Sequence, residues 1–152
     1  MATVTETSER VLREALEASG QRFTEQRAAV YRYLSATTSH PTAEEVFREV
    51  RGGQPGISLA TVYKSLETFV GCGLAMKLTY SDGSARYDGR TDPHPHVRCV
   101  ECGRVADVHG RIPPDDLASL RAGAGDFRVT GYRLELTGYC TECDPGVAPA
   151  RA

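Results

Sequence analysis

The densest chemistry in the chain lies in Asp88 to Asp107, DGRTDPHPHVRCVECGRVAD, where four carboxylates, two histidines and two cysteines share twenty positions. All three side-chain types ligate metals. His94 and His96 are one residue apart, and on an extended strand side chains at i and i+2 share a face, so both imidazoles can reach one ion. Cys99 and Cys102 form a C-x-x-C, whose turn can set two thiolates on one tetrahedral zinc. Gly103 follows, where a residue without a side chain lets the turned backbone approach sulfur. The stretch thus predicts two metal sites. One is sulfur-rich and suits zinc; the other offers nitrogen and oxygen and suits iron, manganese or zinc.

A second C-x-x-C, Cys140 and Cys143, closes the chemistry. Two such knuckles in one small domain suit a structural zinc with all four positions filled by protein. The gap between them exceeds ordinary zinc-ribbon spacing, so an intervening subdomain is required. The competing reading is two redox pairs. Cys72, the fifth cysteine, reads as a small buried apolar residue. For His94 and His96, beside Asp88 and Asp92, the competing reading is a solvated polar hinge. His109 is assigned no role, and His40, taken alone, reads as a surface or capping residue.

The elements that must position these groups follow from patterning. Ser8 can cap a helix carrying Val11, Leu12, Ala15 and Leu16, stopped by Gly20. Thr24 can cap a second with Val30, Tyr33 and Leu34 inward. Thr42 and Glu45 form a T-x-x-E capping box opening a third, which buries Val46, Phe47 and Val50. Ser58 opens a fourth, with Leu59, Val62, Leu66, Phe69 and Val70 at helical spacing. Two strands, AMKLTY and SARYD, flank Asp82-Gly83, a tight hairpin turn. Helices followed by a helix and a hairpin is the order of a winged helix-turn-helix, whose last helix would enter a major groove. Small Ala60 and Thr61 would permit close approach, and Tyr63 and Lys64 would reach phosphate or base edges. The alternative is a plain helical bundle with those residues in solvent.

Beyond Asp88 the composition changes. GRTDPHP reads as a hinge. VRCV and RVADVH read as strands around the first knuckle, DDLASLRA after Pro113-Pro114 as a short helix, and FRVTGYRLELTGYC as β-rich, with Tyr132, Leu134 and Leu136 alternating on one face. The expected class is α+β: a winged helix-turn-helix DNA-binding domain at 1–88, a hinge at 89–93, an α/β domain with a four-cysteine zinc site at 94–143, and a disordered tail at 144–152.

The 152 residues carry a net charge of -2. Residues 1–87 hold ten Lys/Arg and ten Asp/Glu, and the remainder eight and ten, so neither half is basic. Binding to DNA must rest on a local patch aided by a metal or by dimerisation. No apolar run is long enough to cross a bilayer, and MATVTETSER lacks the pattern of a signal peptide, so the expectation is a cytoplasmic protein without a membrane partner.

These motifs together resemble the ferric uptake regulator family of bacterial metal-dependent repressors. The matching pieces are T-E-Q-R at 24–27, H-P-T-A-E-E-V-F at 40–47, S-L-A-T-V-Y-K-S-L at 58–66, R-Y-D at 86–88, H-P-H-V-R-C-V-E-C-G at 94–103 and C-T-E-C at 140–143. The resemblance implies a homodimer built by the second domain, which makes 94–143 the dimerisation domain, a structural zinc on the four cysteines, and a regulatory metal at the hinge that holds the DNA-binding domains in a shape straddling an operator. Carried over by position, the regulatory ligands are His40, Asp88, His94, His96 and Asp107. Iron-uptake members usually carry a His-His-Asp-His run where this chain has Pro93-His94-Pro95-His96, and zinc-uptake members tend to place cysteine where Asp88 stands. The two aspartates resemble the peroxide-responsive members. That similarity implies Fe(II) or Mn(II) in the site and Fe(II)-dependent conversion of His40 and His94 to 2-oxo-histidine, which opens the clamp and releases DNA. Iron-, manganese- or zinc-status repression of metal uptake is the alternative. A metal-dependent hydrolase is more remote, since no Glu base sits beside the His/Asp cluster in a recognised motif, and a zinc-stapled interaction module that never touches DNA is the other rival.

Overall fold

The computed structural model describes residues 4–146. The chain divides into two compact units, Met1–Asp92 and Pro93–Ala152.

In the first unit four helices precede a two-stranded hairpin: α1 (Val4–Ala18), α2 (Glu25–Ala36), α3 (Ala43–Val50), α4 (Leu59–Gly71), β1 (Met76–Thr79) and β2 (Ala85–Asp88). Thr24, Thr42 and Ser58 cap their helices as their side-chain oxygens allow, accepting from Arg27 N, Glu45 N and Thr61 N. The capping box of α3 is complete, with Glu45 Oε2 accepting from Thr42 N at 2.8 Å. Each such cap contributes about 1 kcal/mol. Ser8 does not start a helix. It lies inside α1, because no glycine or proline interrupts the residues before it and a capping side chain does not itself stop a helix.

The apolar stripes meet in one core. Leu12 and Leu16 of α1, Val30 and Leu34 of α2, Val46 of α3, and Val62, Leu66 and Phe69 of α4 are buried, with Tyr87 of β2 beneath them. On α2 the inward aromatic is Tyr31, set edge-on to Phe69 with ring centroids 5.5 Å apart, while the expected Tyr33 is only half-buried. Phe47, Leu59 and Val70 are also half-buried, and Val11 is largely outside. Cys72 packs half-buried against the core at the end of α4. The hairpin pairs antiparallel with Met76 opposite Asp88, as Asp82-Gly83 predicts. Helices α2–α4 and this hairpin form the winged helix-turn-helix arrangement.

In the second unit β3 (His96–Cys99), β4 (Val105–Asp107), α5 (Pro114–Ala122) and β5 (Glu135–Gly138) build a three-stranded sheet ordered β4-β3-β5, with β3 antiparallel to β4 and parallel to β5. The β-rich reading of FRVTGYRLELTGYC holds only over its last part. Residues 127–134 form no strand, and Phe127, Tyr132 and Leu136 are 83%, 55% and 46% exposed. Alternation requires a covered face to enforce it, and among the described residues only Leu134 of that face is as much as half-buried. Of the expected tail, residues 144–146 form a turn and the rest lies outside the described residues. Among the described residues no helix is long and apolar enough to cross a membrane.

Candidate metal centres

The four-cysteine centre is built by β3, the turn after it, and the segment after β5. Cys99 ends β3, and Cys102 comes round in a turn closed by Gly103 N to Cys99 O at 3.0 Å and Cys99 N to Arg104 O at 2.8 Å. Gly103 has φ 74°, the left-handed region that suits glycine. The second knuckle repeats the device, with Cys143 N to Cys140 O at 3.0 Å. Parallel pairing of Cys99 with Gly138 carries Cys140 to the first knuckle, which answers how knuckles so far apart in sequence can meet. The four sulfurs lie within 4.8 Å of one another, and Cys102 Sγ is 3.8 Å from Cys140 Sγ. An ion bonded tetrahedrally to sulfur at about 2.3 Å holds its sulfurs about 3.8 Å apart, so this spacing fits.

The electrostatics fit as well. Backbone N–H groups of Cys102 and Cys140 aimed at the Cys99 sulfur lower its pKa to about 6. The Cys140 thiol and loss of solvent push Cys143 up to about 12. One thiolate forms readily and its neighbours then resist ionisation, since like charges this close disfavour each other. A divalent cation among them removes that opposition.

In the first unit His40 and Asp88 come together, His40 Nε2 lying 3.2 Å from Asp88 Oδ2 with both side chains buried. His40 has φ 52°, unusual for a residue with a side chain. Its backbone is held there from β2. Arg86 donates to His40 O at 3.0 Å and to Glu45 Oε2 at 3.2 Å, and Tyr87 N donates to Pro41 O at 2.9 Å. Asp88 is fixed in turn by Arg90 N, which donates to Oδ1 at 2.8 Å. Gly89, next along, passes so close to α2 that a Cβ there would stand 2.6 Å from Leu34 O.

In the second unit His94, His96 and Asp107 converge. His96 pairs across the ladder with Asp107. Asp107 Oδ1 lies 3.0 Å from His94 Nε2 and 3.6 Å from His96 Nε2, and the two rings are 4.3 Å apart between centroids. His94 precedes the strand rather than lying on it, yet both rings face one carboxylate. Imidazole with carboxylate is a donor set for Fe(II), Mn(II) or Zn(II). Asp92 is instead bound to Arg90 at 2.6 Å on the surface, and His109 is exposed.

On α4, Ala60, Tyr63 and Lys64 are exposed and Thr61 half-buried. The Tyr63 hydroxyl donates to Glu44 Oε1 at 2.6 Å. The supporting roles of Glu44, Arg86 and Gly89 escape a reading of the sequence, because each depends on a partner 19 to 55 positions away and no local spacing announces it.

A winged helix-turn-helix unit followed by a small α/β unit with clustered cysteines and a His/Asp cluster defines a class of metal-binding proteins. The sequence matches the Ferric uptake regulator family over residues 18–137, and the chain belongs to that family. It is 41% identical over 130 residues to the peroxide-responsive repressor PerR of Staphylococcus epidermidis, covering 85% of each chain. It is likewise 41% identical over 136 residues to the peroxide operon regulator of Bacillus subtilis, covering 87% of this chain and 92% of that one. The solved ferric uptake regulator Fur of Helicobacter pylori shares the fold, with a TM-score of 0.78 over 97% of each chain at 19% identity.

Proposed function

We propose that this protein is a metal-dependent, peroxide-responsive transcriptional repressor acting as a homodimer on operator DNA. In this reading Cys99, Cys102, Cys140 and Cys143 hold a structural zinc. His40, Asp88, His94, His96 and Asp107 together hold one regulatory Fe(II) or Mn(II), residues 1–88 bind DNA, and residues 94–143 dimerise. The observation that carries the reading is the convergence of His94 and His96 on one Asp107 oxygen, together with a second buried His–Asp pair in the other unit. Two preformed His/carboxylate halves on separate units are what a cation needs if its binding is to bias the pose of one unit against the other. Relatives named for their response to peroxide, at 41% identity, support the sensing step.

When bound, Fe(II) supplies electrons that reduce hydrogen peroxide. The chain supplies the rest. Asp88 and Asp107 bring hard negative donors that favour Fe(II) and Mn(II). His40 and His94 present imidazoles that would each gain an oxygen and become poorer ligands. Loss of those ligands frees the units and lowers operator affinity. Ala60, Thr61, Tyr63 and Lys64 on α4 form the proposed DNA-reading face.

The test is to load the purified protein with Fe(II) or Mn(II), measure gel shifts on the DNA upstream of its own gene, and then add peroxide. The Fe(II) form is expected to lose DNA and to gain oxygen on peptides containing His40 and His94, while the Mn(II) form keeps both unchanged. Unmodified peptides and persistent binding would refute peroxide sensing. The second reading, an iron- or manganese-status repressor, draws on the same donor set and would then stand if metal concentration alone set DNA binding.

A further inference from the structure

The surface of α4 carries a polar arrangement that neither metal centre uses. Tyr63 is 39% exposed on that helix, and its hydroxyl donates to Glu44 Oε1, in the first turn of α3. A phenol has one proton, so toward any third group this oxygen can only accept. The hydrogen bond from Tyr63 is the largest cause holding the Glu44 carboxyl below its ordinary range, and the bond to Glu44 is the largest raising the phenol. At neutral pH the pair is therefore a carboxylate and a neutral phenol. A second carboxylate, Glu67, lines the same cleft of about 380 Å³, but there Lys77 donates at 2.6 Å and Tyr87 at 2.7 Å. Lysine offsets the charge of Glu67, whereas at Glu44 the basic neighbour Arg48 acts only as the weakest of the lowering influences.

This chemistry separates the two kinds of group that DNA offers. A phosphate brings only acceptors and negative charge. It can make no hydrogen bond to a hydroxyl whose proton is committed, and it is repelled by the carboxylate behind it. The exocyclic amine of adenine or cytosine brings a donor into the major groove. We propose that Glu44 is a specificity-determining positioning residue. By taking the Tyr63 proton it makes Tyr63 an acceptor for adenine N6 or cytosine N4, and it keeps phosphate away from that place on the surface. The inference rests on the reading of α4 as the helix that enters the groove.

The experiment is selection from a randomised duplex pool by Mn(II)-loaded wild type, Glu44→Leu, which has no acceptor for the Tyr63 proton, and Tyr63→Phe, with a fixed unrelated duplex titrated in parallel. Wild type is expected to demand an amine-bearing base at one position of each half-site. Both variants should relax that demand by roughly fivefold to tenfold, the scale of one lost base contact. Glu44→Leu alone should also bind the unrelated duplex about threefold more tightly, since a repelling charge near phosphate is gone. A Glu44→Leu protein with the wild-type base profile and the wild-type affinity for unrelated DNA would overturn the inference while leaving operator binding intact. A parallel fall in affinity for every sequence would overturn it too, because that is what a merely structural contact between α3 and α4 produces. If wild type enriched no sequence, operator binding itself would fail, and the inference with it.

Discussion

Replacing Gly89 by alanine should reveal how tightly the end of β2 is fitted to α2. The added Cβ would stand 2.6 Å from Leu34 O, 3.1 Å from Leu34 C and 3.2 Å from Ser35 Cα. Carbon and oxygen rest at about 3.3 Å or more, so the strand must retreat by roughly 0.7 Å. All three obstacles are backbone atoms, which cannot swing aside as a side-chain tip would. Forced insertions of this kind cost about 1–3 kcal/mol. The neighbour that moves with Gly89 is Asp88, whose Oδ2 now sits 3.2 Å from His40 Nε2. A displaced supporting element at a metal ligand typically lowers affinity about 10- to 100-fold. Urea unfolding of the zinc-loaded protein without regulatory metal would read the first effect, and Mn(II) titration the second. Gly52→Ala is the control, because a Cβ there meets nothing within 4 Å. If Gly89→Ala unfolded at the same midpoint as Gly52→Ala and bound Mn(II) with wild-type affinity, the close fit and its link to Asp88 would both be wrong.

Cys99→Ser should abolish tight zinc binding and unfold the second unit, seen as lost metal by mass spectrometry and lost protection of β3 amides from exchange, because the folding of so small a unit is tied to its metal. Glu67→Gln should destabilise the first unit at neutral pH but not in acid. Lys77 first and Tyr87 second hold the folded carboxyl below its ordinary 4.5, so the contribution is present above that value and vanishes as pH falls through the lower folded one; unfolding midpoints of variant and wild type should therefore differ at neutral pH and converge as the pH is taken down through that lower value. Phe127→Asp should turn dimers into monomers in sedimentation while leaving helical circular dichroism unchanged, since Phe127, Leu120 and Tyr132 are a set of large apolar side chains exposed on the second unit.

The helical half was legible because each device that builds it is local. A cap, a periodic stripe or an Asp-Gly turn announces itself within a dozen residues. Ser8 misled, since a capping side chain is permitted inside a helix as well as before it, and so did Tyr33 and Val11, which lie at the edges of stripes whose buried members are Tyr31 and Leu12. The four cysteines were legible for the same reason, each pair marking its own turn. The β-rich run before Cys140 was overread, because residues 127–133 pair with no strand among the described residues, and the ladder beside β3 begins only where Leu134 O accepts from His96 N. The supports of the His/Asp groups were not readable at all. Arg86 reaches His40 O across 46 positions, and Gly89 matters only because Leu34 O happens to lie beside it. Chemistry that depends on donor type survives in a sequence, whereas chemistry that depends on a distant neighbour becomes visible only when the chain is folded.

Strand β3 is four residues long, and it begins with His96 and ends with Cys99. At about 3.3 Å per residue the two ligands are some 10 Å apart, on opposite sides of one ribbon. A slip of a single position would turn both away from their partners at once. The four-cysteine cluster is thus the anchor that keeps the His96 imidazole facing Asp107, and a disturbance at the sulfur end of the strand would be felt at the imidazole end.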